Sequence, residues 1–176
     1  GDNLEIFFDF KIEPDIHFQP KIIIENIDKS GIKKAGDGVL NNLIFHLGLI
    51  EMVSYWKATC SPKIIVEAGP LNSEQIKWWK DLILNGMGQF FFENKINFRK
   101  PNLLKITSLQ RPVLCETYRD PSSIGLTDGV LVPVGGGKDS IVTLEILKKH
   151  KKNIQCFSLN PTEITKKIIR IAGCKN

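Results

Sequence analysis

Leu131-Val132-Pro133-Val134-Gly135-Gly136-Gly137-Lys138-Asp139-Ser140 is the stretch on which the reading of this chain turns. The apolar residues from Val130 to Val132 run into three consecutive glycines, and an amphipathic segment through Ile141, Leu144, Ile146 and Leu147 follows. That succession predicts a strand, a glycine loop and a helix N-terminus. Three residues without Cβ let backbone N–H groups close around an anion. The helix adds its positive dipole end and its unpaired N–H groups. Lys138 brings a mobile charge, Asp139 a carboxylate able to hold magnesium, and Ser140 a hydroxyl donor. The set suits a nucleotide phosphate. A merely tight turn between strand and helix would leave the Asp139-Ser140 pair without a packing purpose.

Spacing narrows the kind of loop. A Walker A loop needs a glycine where Val132 stands and Ser or Thr where Asp139 stands. The dinucleotide pattern Gly-x-Gly-x-x-Gly fits Gly135 and Gly137 but meets Ser140 at its third glycine. The stretch instead resembles the PP-loop of the ATP pyrophosphatase superfamily (adenine nucleotide alpha hydrolase-like), whose signature is Ser-Gly-Gly-x-Asp-Ser. Gly136, Gly137, Asp139 and Ser140 match it, while Gly135 replaces the first serine and removes one side-chain donor. The resemblance implies a loop wrapped around the β- and γ-phosphates of ATP, with ATP split to AMP and pyrophosphate as a substrate is adenylated. Gly135, Gly136, Gly137 and Ser140 would form the cradle, Lys138 would touch phosphate, and Asp139 would hold Mg2+. The superfamily varies the Lys138 position, so a solvated loop lysine is the other reading of that residue.

From 129 onward the pattern predicts strand 129–134, loop 135–138, helix 139–150, strand 153–159 and helix 161–172. Asn160 is the expected N-cap of the last helix, with Pro161 at its first position, Glu163 reaching back and Gly173 ending it. This βαβα unit implies a parallel sheet. Parallel sheets are buried on both faces, and two strands do not make a stable one. The expectation is a truncated nucleotide domain over 127–176, or a sheet completed by a partner chain. Ser158 and Leu159 end the second strand, where parallel α/β sheets bind ligands, and their backbone is expected to read adenine.

The region 1–126 reads as a separate α+β domain. Leu4–Phe10 and Ile16–Glu25 alternate as antiparallel strands turning around Pro14-Asp15. Residues 31–38 read as a loop. A long helix from Asp37 or Gly38 to about Ala58 is apolar on most sides and so expected to be buried. Lys63–Ala68 reads as a strand. Asn72 caps a helix with Gln75 in the reach-back position, carrying Ile76, Trp79, Leu82 and Ile83; Gly86 and Gly88 interrupt it. Leu103–Ser108 reads as one more strand, and 110–128 as a connecting loop rich in Pro, Ser, Asp, Gly and Arg.

With 176 residues and 42% hydrophobic content the chain can build a core in one domain or two. It has no apolar run long enough to cross a bilayer and no N-terminal signal pattern, and its start at Gly1 reads as trimmed. The net charge of +5 suits an anionic ligand. The late lysines (Lys148, Lys149, Lys151, Lys152, Lys166, Lys167) read as solvated helix faces rather than a nucleic-acid patch. Four cysteines, at 60, 115, 156 and 174, form no Cys-x-x-Cys pair, which argues against a zinc ribbon or an iron–sulfur site. Cys156 and Cys174 read as small core residues, and reduced thiols beside an ATP loop point to the cytoplasm.

Three stretches taken together carry a second resemblance: Asn41–Lys57 (NNLIFHLGLIEMVSYWK), Leu71–Asn97 (LNSEQIKWWKDLILNGMGQFFFENKIN) and Leu131–Ser140 (LVPVGGGKDS). In this order they resemble the UDP-N-acetylmuramoyl-L-alanyl-L-glutamate epimerase family, over nearly the whole chain. The family inverts the terminal glutamate of a peptidoglycan precursor with ATP and magnesium. The resemblance implies a UDP-linked muramoyl dipeptide as substrate, neither nucleic acid nor membrane as partner, and room for a homo-oligomer. It places Asp139 and Lys138 in the catalytic machinery.

Arg111, Tyr118, Arg119 and Asp120 enter the same edge and offer bidentate contacts to a carboxylate or diphosphate, or else form a plain surface loop. Cys60 and Cys115 have no spacing that marks an epimerase thiol pair. His46 reads as a core or helix-edge residue, and Trp78 and Trp79 cannot both face inward. Two other functions stay open: another adenylating PP-loop enzyme (a tRNA-modifying enzyme, amidotransferase or ligase), and a non-catalytic ATP-binding fragment.

Overall fold

A computed structural model of the chain describes residues 3–25, 27–109 and 129–174. Its architecture is mixed α/β, in two compact units, Gly1–Asp120 and Pro121–Asn176. The expected domain boundary at 126/127 and the expected connecting loop lie outside the described residues.

In the first unit the N-terminal alternation yields one hairpin broken into two antiparallel ladders. β1 (Leu4–Phe7) pairs with β4 (Lys21–Ile24), and β2 (Phe10–Ile12) with β3 (Ile16–Phe18). Pro20 cannot donate to a ladder; its carbonyl accepts from Phe8 N–H at 3.1 Å and bridges the gap. The hairpin lands on the helix α2 (Asp37–Trp56) through rings: Phe10 and Phe18 lie 5.1 and 4.7 Å from Tyr55. The contact also needs a bare backbone, since a Cβ on Gly48 would come within 2.9 Å of the Phe8 ring.

Residues 31–38, expected as a loop, fold largely as helix. α1 (Lys29–Ala35) begins at Asp28, whose carboxylate accepts from Ser30 N–H at 2.9 Å and from its hydroxyl at 2.6 Å. The Ser30 hydroxyl holds the Asp28 carboxyl below the usual carboxylate range. Lys33 and Lys34 in the last turn suit the negative end of the dipole. The Asp28 cap and the two lysines of the last turn outweigh the glycine at position 31. The length of α2 matches expectation, but its burial does not: Leu49 and Trp56 are buried, whereas Leu43 is 62% exposed and Ile50 49%.

β5 (Lys63–Val66) runs parallel to β6 (Lys105–Ser108), joined through α3 (Ser73–Gly86) and α4 (Gly88–Glu93). The break at Gly86 and Gly88 falls where expected. The α3 start is a full capping box: Asn72 Oδ1 accepts from Gln75 N–H at 2.8 Å and Gln75 Oε1 from Asn72 N–H at 3.0 Å. The core gathers Leu49 and Trp56 of α2, Ile64 and Val66 of β5, Trp79 and Ile83 of α3, Phe91 of α4 and Ile106 of β6. As expected, the adjacent indoles diverge: Trp79 is 4% exposed and Trp78 58%.

The second unit is the anticipated βαβα succession: β7 (Val130–Pro133), α5 (Lys138–Lys149), β8 (Ile154–Phe157) and α6 (Glu163–Ala172). β7 and β8 are parallel, with Val132 opposite Cys156 and Pro133 opposite Phe157. Val132, Val134, Leu144, Ile169 and Ala172 form the core. Gly173 ends α6 in the left-handed conformation, as its position implied. The N-cap differs from expectation. Thr162, not Asn160, caps α6, accepting from Thr165 N–H at 3.2 Å. Asn160 sits at φ 47° in the turn that leads in. Glu163 does not reach back; it pairs with Lys166 at 2.9 Å. Among the described residues, no helix is long and apolar enough to cross a membrane.

Phe91 is 0% exposed, packing edge-on to Trp56 at 6.3 Å and stacked with Phe98 at 5.9 Å. Phe91→Ala removes a ring that no neighbour can replace, so it is expected to cost the first unit about 3–5 kcal/mol. Urea unfolding checks this; a loss below about 1 kcal/mol would contradict the core as described.

Candidate functional site

Parallel pairing brings the C-terminal ends of β7 and β8 to one edge. Val134 N–H extends the ladder to Phe157 O at 2.7 Å, so Gly135 and Ser158 leave the sheet side by side. The glycine loop and the Ser158–Leu159 turn, separated by more than a dozen residues in sequence, therefore share that edge. Ser158 is half-buried and Leu159 is 73% exposed.

The loop is open above. Among the described residues, a Cβ on Gly135 or Gly137 would meet nothing within 4 Å. Packing inside the unit therefore does not require glycine at either place. Gly136 is different: its φ is +88°, and a Cβ there would lie 3.0 Å from Thr165 Oγ1. Gly137 is the N-cap of α5 and supplies no side-chain cap, whereas Asn72 and Thr162 cap α3 and α6. The first N–H groups of α5 thus keep their donor capacity at the positive end of a twelve-residue helix.

Lys138 and Asp139 are exposed on the first turn of α5, and Ser140 is half-buried. Among the described residues, neither Lys138 nor Asp139 is held in an ion pair. No group of three or more His, Cys, Asp or Glu side chains that could hold a metal occurs among those residues. Asp139 is the loop's own carboxylate. A magnesium ion needs one or two carboxylates when phosphate oxygens and water complete its octahedron, so the donor set fits Mg2+ carried by a nucleotide and not a free ion. Open glycines, a donor-rich helix start, a mobile cation and one carboxylate together fit a triphosphate.

Arg111, Tyr118, Arg119 and Asp120 lie outside the described residues, as does Cys115. Cys60 is half-buried at φ 47°, and burial pushes its thiol up. His46 is a helix-edge residue: its ring stacks on Trp79 at 5.9 Å, and burial lowers its pKa, favouring neutral imidazole. It helps to line a groove of about 530 Å3 in the first unit with Leu43, Ile50 and Trp78. That groove is largely apolar and has no lysine or arginine among its lining residues.

The pairing of Cys156 with Cys174 was not legible in the sequence. Both pack against the second unit's core, and burial, then the neighbouring Cys174 thiol, push Cys156 up to about 12. One thiol is mid-strand and the other follows the α6 cap, so only the tertiary fold reveals them as neighbours.

The MurL N-terminal domain family matches residues 2–176, through both units. The chain belongs to that family. A UDP-N-acetyl-alpha-D-muramoyl-L-alanyl-L-glutamate epimerase from Xanthomonas oryzae pv. oryzae is 30% identical over 102 residues, 58% of this chain and 21% of the relative. Namesakes from Salinispora tropica and a Micromonospora species are 30% and 27% identical over 136 and 134 residues, in each case 76% of this chain and 28% of the relative. The chain thus spans between 21% and 28% of the length of these curated relatives. No solved structure matches it.

Two measurements follow from the site's geometry. Gly136→Ala is expected to cost about 1–3 kcal/mol from the positive φ alone, whereas Gly135→Ala stays within about 0.5 kcal/mol; urea unfolding distinguishes them, and equal losses would contradict the geometry. The raised Cys156 pKa favours the neutral thiol in the folded state. Its contribution is full below the ordinary thiol value of 9.0 and is lost as pH rises toward about 12. Alkaline unfolding of the native protein is therefore expected to steepen between those values relative to Cys156→Ala. Superimposable curves would remove the effect.

Proposed function

We propose that this chain is the N-terminal part of an ATP-dependent epimerase, which inverts the terminal L-glutamate of UDP-N-acetylmuramoyl-L-alanyl-L-glutamate to D-glutamate. The reading rests on one observation above the family membership: two glycines whose Cβ positions no described residue approaches within 4 Å, at the uncapped start of α5. The names of the relatives supply the substrate, and the resemblance of Gly136, Gly137, Asp139 and Ser140 to a PP-loop supplies the nucleotide. In this reading 127–176 begins a PP-loop nucleotide domain, and the enzyme works in the cytoplasm on a soluble precursor.

A free carboxylate resists loss of its α-proton, because the product would carry two adjacent negative charges. ATP would supply the remedy, transferring AMP to that carboxylate with release of pyrophosphate, and water would free AMP and the carboxylate after inversion. The chain's own part is positioning and charge. N–H groups of Gly135, Gly136 and Gly137 and of the first turn of α5 would cradle the phosphates. Lys138 would follow the departing diphosphate, and the Ser140 hydroxyl would donate to a phosphate oxygen. Asp139 would hold Mg2+ against the phosphates. Ser158 and Leu159 would border the adenine.

The full-length protein, given ATP, magnesium and the L-glutamyl precursor, is expected to release AMP only with precursor present and to invert the glutamate. AMP release without precursor would instead favour another adenylating enzyme, and unchanged chirality would sink the epimerase reading. Asp139→Asn keeps an exposed side chain of the same shape and is expected to lower turnover at least about a hundredfold without loss of fold. Full turnover in that variant would remove the magnesium role.

A further inference from the structure

The glycine loop does not stand alone on its strand. It rests against the first turn of α6. A Cβ on Gly136 would lie 3.0 Å from Thr165 Oγ1 and 4.0 Å from Thr165 N. Thr165 is 2% exposed and is the buried polar side chain of the described residues. Its Oγ1 lies 2.9 Å from Thr162 Oγ1, and its N–H donates to that same Thr162 oxygen at 3.2 Å. A buried hydroxyl has to be satisfied, and this one is fixed from one side by Thr162 while its other side faces Gly136.

Three glycines in a row admit many backbone conformations. N–H groups stabilise an anion only when they are aimed at it, and the loop itself has no side chain to set that aim. We propose that Thr165 is a positioning residue: with Thr162 it fixes the Gly136 peptide at positive φ and so orients the loop's N–H groups for a phosphate. The inference rests on the nucleotide reading of the loop given above. It makes α6 part of the phosphate site without any contact to the ligand. It also explains why the α6 cap falls at Thr162: that hydroxyl serves the helix N–H and the Thr165 hydroxyl at once.

Thr165→Val isolates the role. Valine keeps the β-branched shape, and Thr162 still caps the Thr165 N–H, so only the hydroxyl is lost. The affinity of the intact protein for ATP with magnesium, measured by titration calorimetry, is expected to fall about five- to twentyfold in T165V and to stay within about twofold in T165S. KM for ATP is expected to rise in T165V with kcat little changed. Unchanged binding in T165V would overturn the positioning role while leaving the nucleotide reading intact. Equal losses in T165V and T165S would reduce Thr165 to packing and overturn it as well. No heat from the native protein would overturn the nucleotide reading itself. Should T165V fail to fold, T165C replaces it, with a weakened hydrogen bond and the same deciding comparison to T165S.

Discussion

The parallel pairing of β7 with β8 is the constraint on which the second unit depends. Because both strands run the same way, their carboxyl ends coincide, and both following helices begin at one edge with their positive ends. The register is fixed by alternation: Val132 and Cys156 point into the core, while Leu131 and Phe157 point away. A slip of one residue would exchange those faces and bury the wrong set. It would also move Gly136 off Thr165. Core packing thus sets where the loop stands.

What was legible in the sequence was whatever is written in consecutive residues. The glycine loop, the strand before it and the helix after it stand within one short run, so their order follows from periodicity and Cβ loss alone. The α3 capping box was equally local, since Asn72 and Gln75 are three apart and each satisfies the other. Errors arose where two local signals competed. Gly31 argued for a loop and Asp28 for a helix start; the cap and the two C-terminal lysines won. Asn160 and Thr162 were both competent caps, and the choice fell to the residue that also met Thr165. That meeting depends on tertiary contact and leaves no trace in spacing.

The remaining features were out of reach for the same reason. Cys156 and Cys174 are neighbours only because β8 and the end of α6 pack on one core. The exposure of Leu43 and Ile50 was hidden by the uniformly apolar composition of α2, which shows that a helix is hydrophobic but not which of its faces is covered. The groove that they line with His46 and Trp78 is apolar. The glycine loop is almost all backbone amide. In the proposed reading the phosphate chemistry therefore belongs to the loop of the second unit, and the apolar groove does not compete for it.

Glycine carries a cost that has to be explained. Each one in an ordered segment gives up more chain entropy than any other residue, about 0.5–1 kcal/mol relative to alanine. At position 136 the fold supplies the reason: positive φ and the Thr165 hydroxyl exclude a side chain. At 135 and 137 no described residue does, for none comes within 4 Å of where a Cβ would stand. A sequence shaped by internal packing alone could place alanine at both and be the more stable for it. What an added methyl group would obstruct there is the approach of something from outside to the amides at the mouth of α5. The internal geometry accounts for one glycine of the three, and in the proposed reading an external ligand with several acceptor oxygens accounts for the other two.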